Sequence, residues 1–132
     1  MDLDKYGLVK CKIVEKCHDI DNVFTYAEVR LRIFHLNIRS QNKNLDCFLI
    51  YLNSIKTKFD IIVLGETWHG GSDILTHIEG YSVYATTKVN NRNDGVIVFV
   101  REGLSVSVSE LGLGGVNGLS LVFIYQSKHC NL

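Results

Sequence analysis

Three features of this 132-residue chain predict an α/β fold. One apolar run closes on Asn37 and a second closes on Glu66, and the segment between them has helical periodicity. The second run, Ile61 to Leu64, is unbroken and rich in β-branched residues, as expected of a strand covered on both faces. Beyond Glu66 the pattern turns to β alternation punctuated by Asn and Gly.

Residues 1 to 29 form a lead-in to which no function is assigned. Gly7 to Val14 reads as a short strand, and Asp19 to Asn22 as a polar turn. Residues 30 to 132 form the domain. Its first strand contains Leu31, Ile33, Phe34 and Leu36. The helix that follows places Leu45, Phe48, Leu49, Leu52 and Ile55 on one stripe, with Lys43, Asp46, Ser54 and Lys58 opposite. Asn42 or Asn44 is positioned to cap its start, where a side-chain oxygen accepts an orphan backbone N–H.

A strand–helix–strand crossover makes the two strands parallel, so Asn37 and Glu66 both stand at carboxyl ends. Ligands of open α/β sheets bind at that edge, and a carboxylate beside an amide there suggests a metal or phosphate site. Thr67, Trp68, His69, Gly70 and Gly71 follow as a polar, glycine-rich turn that lets a ligand approach the backbone.

Tyr81 to Thr87 alternates Tyr81, Val83 and Ala85 against Ser82, Tyr84 and Thr86. The segment 89 to 95 is a turn, because Asn90, Asn91, Asn93, Asp94 and Gly95 tolerate positive φ. Val96 to Arg101 is a buried strand. It is expected to form a hairpin with Leu104 to Ser109 across Glu102 and Gly103. Residues 111 to 118, LGLGGVNG, fail as a phosphate cradle. Asn117 replaces the third glycine and a strand follows, so the stretch reads as a flexible hairpin loop.

The fourteen basic and fourteen acidic residues cancel, which excludes a global electrostatic pull on nucleic acid. Lys88, Arg92 and Arg101 read as scattered surface charges. The four cysteines, Cys11, Cys17, Cys47 and Cys130, contain no C-x-x-C pair, which argues against structural zinc or a disulfide framework. Cys17 and His18, beside Asp19 and Asp21, read as part of a polar turn. Asp2, Asp4 and Lys5 occupy the place of an apolar secretory leader, and no apolar stretch approaches the ~18 residues of a membrane span. An intracellular location, nuclear or cytoplasmic, is the expectation.

Four ordered pieces carry a family resemblance: HLNIRS at 35 to 40, FDIIVLGETW at 59 to 68, IEGYSVYATT at 78 to 87 and NDGVIVFVRE at 93 to 102. Together they resemble the start of the endonuclease/exonuclease/phosphatase superfamily. Within it they are most similar to the apurinic-endonuclease-like domain of non-LTR retrotransposon polymerase proteins. The resemblance implies a DNase I-like two-sheet α/β sandwich, of which this chain holds the N-terminal portion. It also implies Mg²⁺-dependent phosphodiester hydrolysis, DNA as ancestral substrate, and a reverse transcriptase region in a longer parent.

On this resemblance Glu66 ligates the metal and Asn37 positions the metal centre and the scissile phosphate; Trp68, whose role the resemblance leaves open, is a candidate beside Asn37 for contacting substrate. From the residues alone, Asn37 also reads as a turn cap, Glu66 as the partner of a nearby cation and Trp68 as packing. His35 is expected to point into the sheet interior beside the site, His69 is left open, and His77 and His129 read as surface residues. The chain departs from the family after its final strand. The tyrosine, Asp-x-Asn and Ser-Asp-His motifs that complete the site have no match, and Tyr125 reads as a strand residue. The expectation is therefore a catalytically incomplete endonuclease portion. The alternatives are a non-catalytic phosphate- or nucleic-acid-binding remnant, or part of an exonuclease or inositol-phosphate phosphatase branch. Uncovered sheet edges and a complete lack of proline accord with a partial domain.

Overall fold

The computed structural model describes residues 20–23, 31–70, 76–87 and 93–123. Its elements are α1 (Ile20–Val23), β1 (Ile33–Asn37), α2 (Gln41–Ser54), β2 (Ile61–Gly65), β3 (Tyr81–Ala85), β4 (Val96–Arg101), β5 (Val106–Leu113) and β6 (Val116–Phe123). One sheet has the order β1-β2-β4-β3, and β5 and β6 form a second sheet. Among the described residues the fold is thus a mixed α/β arrangement with two sheets and one long helix.

The β1–α2–β2 crossover is parallel as predicted, with Phe34 opposite Ile62 and Asn37 opposite Gly65. The alternation of side chains then decides the two faces of the first sheet. Phe34, Ile62, Leu64, Ile97 and Phe99 share a core with Phe48 and Ile55 of the helical side, and Leu45, Leu49 and Leu52 pack against it. Lys43, Asp46 and Ser54 are exposed, as the periodicity predicts, but α2 ends at Ser54, so Ile55 and Lys58, which the same pattern assigns to the helix, lie past its C-terminus. On the opposite face Ile61, Val98 and Val100 are buried with Val63, Tyr84, Val106, Leu119 and Leu121. The β5–β6 pair therefore covers the sheet face that α2 does not, and β2 and β4 are covered on both faces.

Several local expectations are corrected. β4 does not form a hairpin with β5, because its two edges are already taken by β2 and β3. Instead Gly103, at φ +95°, and the Leu104 N–H to Arg101 carbonyl bond turn the chain into the other layer. Residues 111 to 118 are not a long flexible loop. Both strands run through it, and only Gly114 (φ +57°) and Gly115 (φ +102°) form the turn. Two successive positive φ values match the twist of an antiparallel pair.

The start of α2 also differs. Ser40, at φ +84°, holds the N-cap position and its side chain makes no capping bond. Asn42 is exposed, and the Asn44 side chain reaches backward, donating through Nδ2 to the carbonyls of Ile38 and Arg39. The amide thus ties down the loop ahead of the helix rather than capping N–H groups.

The residue types predict a turn at Asp19 to Asn22, and Ile20–Val23 is instead one turn of helix. Ile20 packs against the main core. Asp21 accepts from the backbone N–H groups of Lys56 (3.0 Å) and Thr57 (2.7 Å) and from the Thr57 hydroxyl (2.7 Å). These bonds hold the Asp21 carboxyl below its ordinary 3.8, first through Lys56 N–H and then through the Thr57 side chain. The lead-in thereby closes the segment that follows α2.

Among the described residues no helix is long and apolar enough to cross a membrane. The Gly7 to Val14 strand, the Cys17–His18 pair, most of the 89 to 95 turn, Lys88, Arg92, Tyr125 and His129 lie outside the described residues. Cys47 is an exposed free thiol, and His77 is exposed as expected. Arg101 is not an isolated surface charge, since its guanidinium pairs with Asp60 at 2.8 Å.

Candidate functional site

The parallel pairing of β1 and β2 brings their carboxyl ends side by side, and the lacing continues past the strands. Ile38 N–H donates to the Gly65 carbonyl (3.0 Å), Ser40 N–H to Glu66 (2.8 Å) and Gln41 N–H to Thr67 (2.8 Å). Two loops far apart in sequence are therefore held at a set spacing by main chain alone. Across them Asn37 Nδ2 donates to Glu66 Oε1 at 2.6 Å, and both side chains are exposed. This is the amide–carboxylate pair expected at this edge.

Backbone strain concentrates here. Among the described residues the non-glycine positions with positive φ are Arg39 (+47°), Ser40 (+84°), Glu66 (+49°) and Trp68 (+53°), all in these two loops. Such conformations cost on the order of 1–3 kcal/mol each and persist where the surroundings over-determine them. At Glu66 the surroundings are the bond from Ser40 to its carbonyl and the neighbouring bond from Thr67 N–H to the Gly95 carbonyl (3.1 Å).

The turn after Glu66 rests on a buried polar relay. His69 Nε2 lies 2.7 Å from the Thr86 carbonyl, and a carbonyl only accepts, so the proton is on Nε2. His69 Nδ1 lies 2.5 Å from the Thr67 hydroxyl. Thr67, His69 and Thr86 are all buried, and Thr86 Oγ1 accepts from Val96 N–H at 3.0 Å. The relay ties the β2 loop to β3 and β4. Gly95, at φ +118°, lets it close, since a Cβ there would stand 2.5 Å from Thr67 Oγ1 and 2.8 Å from His69 Nδ1.

The structure brings Asn37 and Glu66 together and leaves Trp68 outside their bond. Trp68 is 38% exposed, and its indole makes no hydrogen bond or ring contact with another described residue, while its backbone N–H donates to the Asp94 carbonyl at 3.0 Å. His35 is corrected: it is exposed, not interior, because it lies on the β1 face that the β5–β6 layer does not reach. Its Nε2 stands over Gly65, 3.5 Å from where a Cβ would be. His69, left open by the sequence, is structural. No spacing rule would have found its relay, whose partners come from the same turn and from Thr86, seventeen residues on.

Glu66 offers hard oxygen donors on an exposed loop, which fits a cation that keeps several waters and needs one or two carboxylates. Among the described residues no group of three His, Cys, Asp or Glu side chains gathers to hold a metal without such help. No protein-family model matches this chain, and no curated protein or solved structure matches it.

Proposed function

We propose that the Asn37–Glu66 pair is the metal- and phosphate-facing corner of a Mg²⁺-dependent phosphodiesterase site of the retrotransposon endonuclease type, with DNA as substrate. The observation that carries this reading is the 2.6 Å bond between the two side chains at adjacent parallel-strand ends. Glu66 is the residue that would hold the cation, with water and substrate phosphate oxygens completing its shell. A bound Mg²⁺ supplies Lewis-acid polarisation of the phosphoryl group and stabilises the leaving oxygen.

The residues of this chain contribute orientation. Asn37 fixes one oxygen of Glu66 through its Nδ2 donor, which leaves its own amide oxygen outside that bond. The laced loops and the His69 relay keep Glu66 in its strained backbone conformation. The four sequence pieces that resemble the endonuclease/exonuclease/phosphatase superfamily support the same reading, in their order and in the residues they place at this corner.

A second reading, phosphate or nucleic-acid binding without hydrolysis, is favoured by one observation. Among the described residues Glu66 belongs to no group of three or more His, Cys, Asp or Glu side chains that could hold a metal ion. Nicking of supercoiled plasmid in Mg²⁺, with Glu66→Gln and EDTA controls, decides between the two. Cleavage abolished by both controls supports hydrolysis. A folded chain that does not nick, yet binds DNA with marked salt dependence, supports binding alone.

A further inference from the structure

We infer that His35 is a third member of the Asn37–Glu66 corner, a residue that contacts the substrate phosphate across the bare backbone of Gly65. The inference rests on the proposed function and deepens it by naming where the phosphate lies. Across the parallel ladder His35 is opposite Val63 and Asn37 is opposite Gly65. Alternation sets all four on one face of the sheet. The His35 ring leans from its own position toward the carboxyl ends of the strands, which brings Nε2 to 3.5 Å from where a Cβ of Gly65 would be. Gly65 is thus flanked on this face by the imidazole and by Asn37, and Glu66 is the next residue.

The backbone does not require glycine at position 65. It has no positive φ, and it pairs in continuous register with both Asn37 and Val96, so there is no bulge. Glycine inside a strand otherwise marks a place where another backbone or a ligand comes close. Among the described residues the one atom within 4 Å of its missing Cβ is His35 Nε2, so no backbone takes that space. A ligand is what remains, and the space opens beside the carboxylate that would hold the cation.

The chemistry of the face selects the ligand atom. On β1 and β2 this face also carries Ile33, Ile61 and Val63, which offer no donor, and Asn37 already donates through Nδ2 to Glu66. The anionic Glu66 repels a phosphate, so the corner needs a donor to hold one. His35 is exposed, and its ring makes no hydrogen bond with a described residue. Adjacent strands lie roughly 5 Å apart, so a phosphate on a Glu66-bound cation comes within reach of Nε2. Mg²⁺ takes oxygen ligands in preference to imidazole nitrogen, which directs the ring to the phosphate and not to the metal.

Anisotropy of a short labelled duplex DNA titrated with the full chain tests this, in Ca²⁺ as an oxygen-preferring cation in place of Mg²⁺. Calorimetric titration of Ca²⁺ alone runs beside it. His35→Leu should weaken DNA binding about tenfold, the contribution of one hydrogen bond to an anion, and leave Ca²⁺ affinity unchanged. His35→Gln, which keeps a donor, should recover most of that loss. Both should melt with the native chain, because the ring is exposed. Gly65→Val should weaken binding as His35→Leu does, since its methyl groups fill the open space. The double variant should bind no more weakly than either single one, because both remove the same contact.

DNA binding by His35→Leu equal to the native chain, a loss that His35→Gln does not restore, or additive losses in the double variant overturn the inference and leave the proposed function standing. So does a loss of Ca²⁺ affinity in His35→Leu, which would make the ring a metal ligand. Glu66→Gln separates the two readings. Cation-dependent DNA binding that survives it, or is absent from the native chain, overturns the proposed function and this inference with it.

Discussion

Gly95 lies so close to His69 that a methyl group in place of its hydrogen would stand 2.8 Å from the imidazole Nδ1. The glycine comes from the approach to β4 and the histidine from the turn after β2. Their contact is what seats the Glu66 loop on the sheet.

Gly95→Ala is expected to cost about 2–4 kcal/mol, combining an unfavourable φ of +118° with overpacking against fixed atoms. Neither neighbour can yield, because Thr67 is fully buried and the His69 ring is held at both nitrogens. Gly70→Ala, also at positive φ but with nothing within 4 Å, should cost only the backbone penalty of about 1–2 kcal/mol. Urea unfolding of the two variants measures the difference, and equal losses would refute the seating role.

Asn37→Ala should barely alter stability, by less than about 1 kcal/mol, because the bond it removes is exposed. On the proposed function it should weaken Mg²⁺-dependent DNA binding or cleavage, since Glu66 loses the donor that orients it. Paired calorimetric titration and thermal melting separate the two effects. Unchanged Mg²⁺ affinity in both Asn37→Ala and Glu66→Gln would remove this corner from consideration as a metal site.

Asp21 makes stability depend on acid. Its folded-state carboxyl titrates below the ordinary 3.8, so the folded chain binds a proton less readily than the unfolded one. The stabilisation is present above 3.8 and is lost as pH falls through the lowered folded-state value. Asp21→Asn should therefore lower the urea midpoint at pH 7, and the gap from the native chain should close in acid. A gap that stays constant across that range would show that the carboxylate charge is not what binds the Lys56 and Thr57 N–H groups.

Tyr81 acts at the other end of the pH scale. Its hydroxyl donates to the Phe59 carbonyl at 2.5 Å, and burial, then the nearby Asp60 charge, raise its titration above the ordinary 10.0. The folded chain holds this proton longer than the unfolded one, so the contribution is intact below pH 10 and declines as pH rises through the folded-state value. Tyr81→Phe should cost about 1 kcal/mol at pH 7. The variant should also lose this alkaline decline, which chemical denaturation between pH 8 and 11 would detect.

The elements whose signal is local can be read from the residues alone. The stripe from Leu45 to Ile55, the unbroken run at Ile61 to Leu64 and the parallel crossover were all legible, because periodicity and connection length dictate them. The placement of Asn37 and Glu66 at neighbouring strand ends followed from the same rules. Features that depend on partners distant in sequence are set by packing in three dimensions. β5 reads equally well as a neighbour of β4, and what excludes that pairing is that β2 and β3 already occupy both edges of β4. His35 alternates like an interior residue, yet the second layer stops short of β1 and leaves it exposed. Asp21 looks like an ordinary turn residue until the segment after α2 presents two backbone N–H groups to it. Local pattern selects each element's type and inward face, while the competition among elements for a limited set of edges and surfaces selects which neighbours it meets.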